Sequence, residues 1–251
     1  MPTFSLATFN THYGVRPGRR PPRRPYDVEA AIASLDADVV VIQESLRPDR
    51  RRGPVDDAAE HLGYDVCYEP TGRANADPGW PHLDATGTAE AGICVLSRLP
   101  LRRIGALIVG PTPFDPTPLR TVLDGELDLG GATLRLIAVH LTSRLPFGPP
   151  QQLRRLARLV PAPGTPTVVA GDCNFWGPGV VALMRGWKRG VKGRTWPAPH
   201  PHSQIDHVLY RPADVEVSAG RVLPEVGSDH LPVRVEVRVV SRRDLRPAAG
   251  R

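Results

Sequence analysis

The sequence predicts an α+β fold: two mostly antiparallel β-sheets packed face to face with helices outside, a four-layer α/β/β/α sandwich. Three observations carry this. Short runs rich in β-branched and aromatic residues recur along the whole chain, separated by turns of glycine and proline. About four stretches with apolar residues at helical spacing lie between them. Neither an internal repeat nor a linker interrupts the pattern, so residues 1–240 read as one domain and 241–251 as a basic tail.

Thr3–Phe9 alternates and is a predicted strand, followed by the arginine- and proline-rich loop Arg16–Arg24, which cannot form a packed element. Asp27–Leu35 carries Val28, Ile32 and Leu35 at helical spacing. Asp38–Glu44 is a continuous apolar run ending in polar residues: a strand buried on both faces, with Glu44 at its carboxyl end. Val55–Leu62 is a predicted helix and Asp65–Tyr68 a strand. Thr71–Ala91 is a polar, glycine-containing loop, long enough to suggest a functional role.

Ile93–Ser97, Leu101–Val109, Leu119–Leu129 and Thr133–Leu141 are predicted strands, the last two a hairpin turning at Gly130-Gly131. Gln151–Val160 is a basic helix. Thr167–Gly171 is a buried strand that runs straight into Asp172-Cys173-Asn174. Gly179–Trp187 reads as helical and Lys188–Ser203 as a loop. Ile205–Tyr210, Val215–Leu223 and Leu231–Val239 are the closing strands. Short turns between neighbours imply mostly antiparallel pairing.

The 251 residues carry a formal charge of +6, supplied almost wholly by arginine. Arginine's planar fork suits phosphate, although arginine-rich composition alone is weak evidence for a polyanionic partner. No signal peptide or membrane-spanning run is visible, and the three cysteines form no CxxC pair. The expectation is a reduced, cytoplasmic protein, monomeric by default.

Polar clusters follow the apolar strands. They are Asn10 after Phe9, Glu44 after Gln43, His140 after Val139, Asp172 and Asn174 after Gly171, and Asp229-His230 after Ser228. Asp206 lies in Ser203–His207. Side chains at strand ends can converge on one rim of a sandwich although they are far apart in sequence. Oxygen donors of this kind suit Mg2+ or Mn2+. Such an ion can neutralise phosphoryl oxygens while a nearby base activates water.

Seven segments resemble, in order, the endonuclease/exonuclease/phosphatase superfamily, which includes deoxyribonuclease I, apurinic endonucleases and sphingomyelinases. They are Leu6–Asn10, Val41–Glu44, Gly92–Pro100, Val139–Leu141, Gly171–Asn174, Gln204–His207 and Gly227–His230. The resemblance implies Glu44 as principal metal ligand with Asn10 beside it, and Asp229 supporting metal or water. It implies Asp172 orienting or deprotonating the attacking water, Asn174 donating to phosphate, and His230 binding the phosphate or acting as acid/base. Asp206 would orient His230, His140 would be the second site histidine, and Arg120 resembles an arginine that faces substrate.

The chain departs from that pattern at Ala138, and at Thr11-His12, where some relatives place a further acidic ligand; His12 is a candidate substitute. Arg19, Arg20 and Arg23 are candidate substrate contacts, weighed against a merely solvated loop. Trp80, Trp196, His200 and His202 read as loop packing ahead of stacking on or positioning a substrate, and His207 as structural. The expected activity is a metal-dependent phosphodiesterase acting on a phosphoester, with DNA or RNA as the leading substrate class. A lipid or small-molecule phosphoester is the second reading. A non-catalytic polyanion-binding protein is the third, and the full acidic and histidine set argues against it.

Overall fold

The computed structural model describes residues 3–18, 24–48, 51–73, 89–113, 115, 117 and 119–240. The first sheet contains β1 (Thr3–Asn10), β2 (Val39–Pro48), β3 (Asp65–Arg73), β4 (Ala89–Ser97), β11 (Val215–Val222) and β12 (Val233–Val239), in the order β11-β12-β1-β2-β4-β3. The second contains β5 (Leu101–Ile108), β6 (Thr121–Asp128), β7 (Thr133–His140), β8 (Thr167–Asp172), β9 (Lys188–Arg189) and β10 (Asp206–Tyr210). Its order is β5-β6-β7-β8-β10-β9. Only β1–β2 and β7–β8 pair in parallel among these strands. The mostly antiparallel sandwich is therefore what the chain forms.

Period-2 alternation explains the layering. Leu6, Val39, Val41, Ile93 and Val235 face Leu123, Leu136, Ala138, Val168 and Val208 in the core between the sheets. The intervening Ala7, Phe9, Val40 and Ile42 point the other way, onto α1 (Val28–Ser34) and α2 (Pro54–His61). In the second sheet Ile137, Val139 and Val169 cover α3 (Gly148–Leu159) and α4 (Gly177–Leu183). Strands apolar on both faces are thus wedged between a sheet and a helix layer. Truncating one of their fully buried residues, such as Ile42 to alanine, typically costs about 2–5 kcal/mol.

α3 and α4 begin earlier than the periodicity predicts, because their first turns are built of proline: Pro149-Pro150 in α3 and Pro178 in α4. Proline is well suited there, since the first helical N–H groups have no partner within the helix. The ends of the expected Thr71–Ala91 loop extend β3 and β4 into a longer hairpin, leaving residues 74–88 outside the described residues. The tail at 241–251 also lies outside them.

Glu44 is not at the end of its strand. β2 continues to Pro48, and Glu44 sits inside it at φ +53°. Ile42 pairs with Cys94 and Ser45 with Gly92, so Gln43 and Glu44 oppose the single residue Ile93. One extra residue makes a β-bulge, which re-aims a side chain without ending the strand. Thr11 secures it by donating through Oγ1 to the carbonyls of Gln43 and Glu44 at 3.0 and 3.1 Å. A bulge carries no periodic signature, so apolar patterning could not reveal it.

Candidate active site

Strand register assembles most of the site. His140 is opposite Asp172 in the β7–β8 ladder, and Asp172 is opposite Asp206 in the β8–β10 ladder, which puts the three in one row across the second sheet. Gly171 permits this: its φ is +140°, and a Cβ there would lie 2.0 Å from the Val139 carbonyl oxygen. Asn10 ends β1, one residue from the bulge that carries Glu44 in register. Asn10 Nδ2 donates to Glu44 Oε1 (3.3 Å) and Asp172 Oδ2 (3.2 Å), so one amide joins the rims of the two sheets.

The turn before β12 closes the site. Gly227, at φ +119°, packs where a Cβ would meet the Tyr26 ring, and Ser228 Oγ donates to the Asn10 carbonyl at 2.7 Å. This delivers Asp229 and His230 over the row. His230 Nδ1 lies 3.0 Å from Asp206 Oδ2, while its Nε2 is 3.9 Å from Asp172 Oδ2 and 4.0 Å from Asp229 Oδ1. With Asp206 ionised, Nδ1 carries the proton that it shares with this carboxylate. His140 Nε2 stands 3.7 Å from Glu44 and 3.8 Å from Asp172, outside hydrogen-bond range. Asn174 donates its backbone N–H to Asp172 Oδ1 at 2.7 Å and its side-chain amide to the Leu141 carbonyl at 2.9 Å.

A cleft of about 360 Å³ opens onto this constellation, lined by Glu44, Arg120, His140, Asp172, Asn174 and His230 among others. All eight predicted catalytic and metal residues therefore gather in one place. Arg120 is on the cleft wall, but its guanidinium is largely committed. It makes two 2.8 Å bonds to Asp115 and one of 3.2 Å to the His140 carbonyl. Arg19, Arg20 and Arg23 lie outside the described residues. The base of their loop is pinned by the Val15–Pro25 bridge and by Arg16 N donating to Arg24 O at 2.7 Å.

His12 does reach the site: its Nδ1 is 3.8 Å from Asp229 Oδ1 and 3.0 Å from the Val15 carbonyl. Sequence reasoning missed Tyr13, Thr71, Thr117 and Ser143 in the cleft wall, and Thr195 and Trp196 behind it. They lie in loops, at strand ends or, for Tyr13, in a single 3-10 turn at His12–Gly14, all without apolar periodicity.

Burial sets the electrostatics. It pushes the Asp172 carboxyl up to about 7, helped by the Asp206 charge opposite. It also raises Glu44, against the pull of His12 and His230. Burial works against a charged His230, but the Asp206, Asp172 and Asp229 carboxylates outweigh it and lift the imidazole to about 10. The same His230 charge outweighs burial at Asp206 and holds that carboxyl low. Burial, reinforced by Arg120 and His230, drives His140 down to about 3, so it is neutral. Among four carboxyl groups, His230 is thus cationic and His140 neutral, with His12 at the edge of the site. Asp172, Asp206 and His230 each bring a ligand atom within 4.8 Å of the others.

His207 points away from the site and its Nε2 bonds the Phe175 carbonyl at 3.0 Å, a structural placement. Burial lowers its pKa to about 4. An unfolded imidazole titrates near 6.5, so the unfolded chain binds this proton first. His207 therefore makes stability fall as pH drops from about 6.5 to 4, by at most about 3 kcal/mol. Denaturant unfolding at pH 7 and pH 5 should show that loss, and His207→Gln should reduce it.

Known proteins share this fold. The profile of the Endonuclease/Exonuclease/phosphatase family matches residues 7–230. An endonuclease/exonuclease/phosphatase from Beutenbergia cavernae superposes with a TM-score of 0.68 at 24% identity, over 94% of this chain and 72% of that one. Sphingomyelinase C from Streptomyces griseocarneus gives 0.61 at 19% identity, covering 94% of this chain and 99% of the other. The human Nocturnin catalytic domain with bound sulfate gives 0.64 at 14% identity, over 95% of each. At these identities the structures show a shared fold. No curated protein sequence matches the chain significantly.

Proposed function

The chain belongs to the endonuclease/exonuclease/phosphatase family, and from that premise we propose that it is a divalent-cation-dependent phosphodiesterase. The observation that carries the proposal is the convergence of Glu44, Asp229 and Asn10 on Asp172 and His230 at one cleft. The donor set fits Mg2+ or Mn2+: carboxylate oxygens, with more carboxyl groups than the cationic His230 can balance. Glu44 and Asp229 would hold the ion, with Asn10 adjusting Glu44. Asp172, Asp206 and His230 also cluster, but His230 is cationic and bonded through Nδ1 to Asp206, so its imidazole has no lone pair to offer an ion. We therefore assign the ion to the Glu44 side. When bound, the cation supplies charge against the phosphoryl and leaving oxygens.

Asp172 takes the proton of the attacking water, since a base is most effective with a pKa near the working pH. Asn174 keeps the Asp172 carboxylate in orientation. Cationic His230 binds a phosphoryl oxygen, with Asp206 holding its ring and its Nδ1 proton. Neutral His140 donates one N–H toward the phosphoryl group, and Arg120 positions that residue through its carbonyl.

Nucleic acid is the substrate class favoured by the charge of +6 and the arginine loop rooted beside the site. One observation favours an amphipathic phosphoester instead. Leu119, Leu145, Phe147 and Trp176 are more than half exposed, and all belong to the segments that flank Arg120, Ser143 and Asn174 at the cleft rim. A panel of plain and nicked DNA, RNA, sphingomyelin and inositol phosphates, each with and without cation, separates the readings. Hydrolysis of DNA or RNA that falls steeply with salt is expected. Hydrolysis of the lipid alone would replace the nucleic-acid reading.

A further inference from the structure

The loop between β9 and β10 does more than pack. Trp196 Nε1 donates to Asp229 Oδ2 at 3.3 Å, and the backbone of the same segment grips the same residue, Ala198 N donating to Asp229 O at 2.7 Å. Leu231 N donates to Thr195 O at 2.8 Å, so both sides of Asp229-His230 are tied down. One residue earlier, the buried Thr195 hydroxyl accepts the N–H groups of Ile205 (3.2 Å) and Asp206 (3.3 Å). The two acidic residues on either side of His230 are thus held by consecutive side chains of one segment.

The indole is itself held. Trp196 and Ser203 exchange two backbone bonds of 3.0 Å, closing the loop, and the His202 ring meets the Trp196 ring edge-on at 5.5 Å. Trp196 is half-buried, so its indole N–H needs a hydrogen-bond partner, and the partner is a site carboxylate. The donor is aimed at one oxygen of the half-buried Asp229 carboxylate, while the other, Oδ1, lies 3.4 Å from Ser228 Oγ, 3.8 Å from His12 Nδ1 and 4.0 Å from His230 Nε2. A hydrogen bond to one oxygen of a ligating carboxylate fixes its orientation and steadies its charge.

We propose that Trp196 is a positioning residue for the cation site, its indole N–H setting the Asp229 carboxylate, while Thr195 anchors the Asp206 backbone. This rests on the assignment of Asp229 as a cation ligand. The removal of such outer hydrogen bonds weakens metal binding by about 10- to 100-fold in comparable sites.

The test is a Mn2+ titration followed by the room-temperature EPR signal of the free ion, on the wild type, Trp196→Phe, Asp229→Asn and the double variant. Phenylalanine keeps an aromatic ring against His202 and removes only the donor. The expected result is about tenfold weaker binding in Trp196→Phe, with no further loss when the change is added to Asp229→Asn. Wild-type affinity in Trp196→Phe, or an equal loss in both backgrounds, overturns the proposal. A measurement on the unaltered protein stands beside it: on adding Mg2+, one indole N–H resonance should shift in 15N–1H NMR spectra. If none shifts, the proposal fails even where the variant does not fold. A wild type that binds no Mn2+ overturns the cation assignment itself, and this inference with it.

Discussion

Asp172→Asn should lower kcat for phosphodiester hydrolysis by on the order of 10³- to 10⁴-fold, with KM changed far less. Asparagine keeps the shape and can still accept the bond from Asn174 N, so the fold and the cleft survive. What is lost is the one carboxylate that burial has raised to about 7 while it faces His230. The pH profile gives the same account a sign. Asp172 works as the ionised base, so activity should rise tenfold per pH unit on the acid side and level off at or below about 7. The bound cation shifts that limb to lower pH, because its charge favours the carboxylate. Above about 10 activity should fall again as His230 loses its proton. Asp172→Asn should abolish the acid limb together with the rate.

Glu44→Gln should reverse the order of stability with and without cation. Burial raises the Glu44 pKa, so at neutral pH the unfolded chain accommodates its charge better than the folded one. Removing the charge should therefore raise the melting temperature of the cation-free protein. With cation at about 100 times its Kd the wild type gains about 2.7 kcal/mol, or roughly 5–10 °C for a domain of this size. The variant should gain almost nothing, because losing a direct ligand costs at least the 10- to 100-fold that outer partners cost. Thermal unfolding with EDTA and with Mn2+ measures both halves. A variant less stable than the wild type in EDTA would contradict the view that Glu44 is strained until a cation arrives.

Much of the fold was legible because apolar patterning is what the layers require. Val39-Val40-Val41-Ile42 is apolar on both faces since one face meets the other sheet and the other meets α1 and α2. The candidate site was legible as a set of polar residues just beyond such runs; strand register aligns His140, Asp172, Asp206 and Asn10, and a bulge and two turns bring in the other four. Less visible were features made by geometry without pattern. The bulge at Glu44, the two-residue strand Lys188–Arg189 and the proline-built first turns leave no periodic trace. Trp196 read as loop packing because nothing in Lys188–Ser203 shows which carboxylate its N–H would meet. Arg120 read as a substrate contact, but its partner Asp115 holds it by two bonds and only the structure shows this.

Hydrolysis of bis-p-nitrophenyl phosphate by purified protein, before and after stripping with EDTA and again after adding Mg2+ or Mn2+, tests the central claim most directly. Turnover should vanish on chelation, return with either ion, and stay absent in Glu44→Gln under the same conditions. Hydrolysis that persists after chelation, or that returns equally in Glu44→Gln, would contradict a reaction built on the Glu44 cation site.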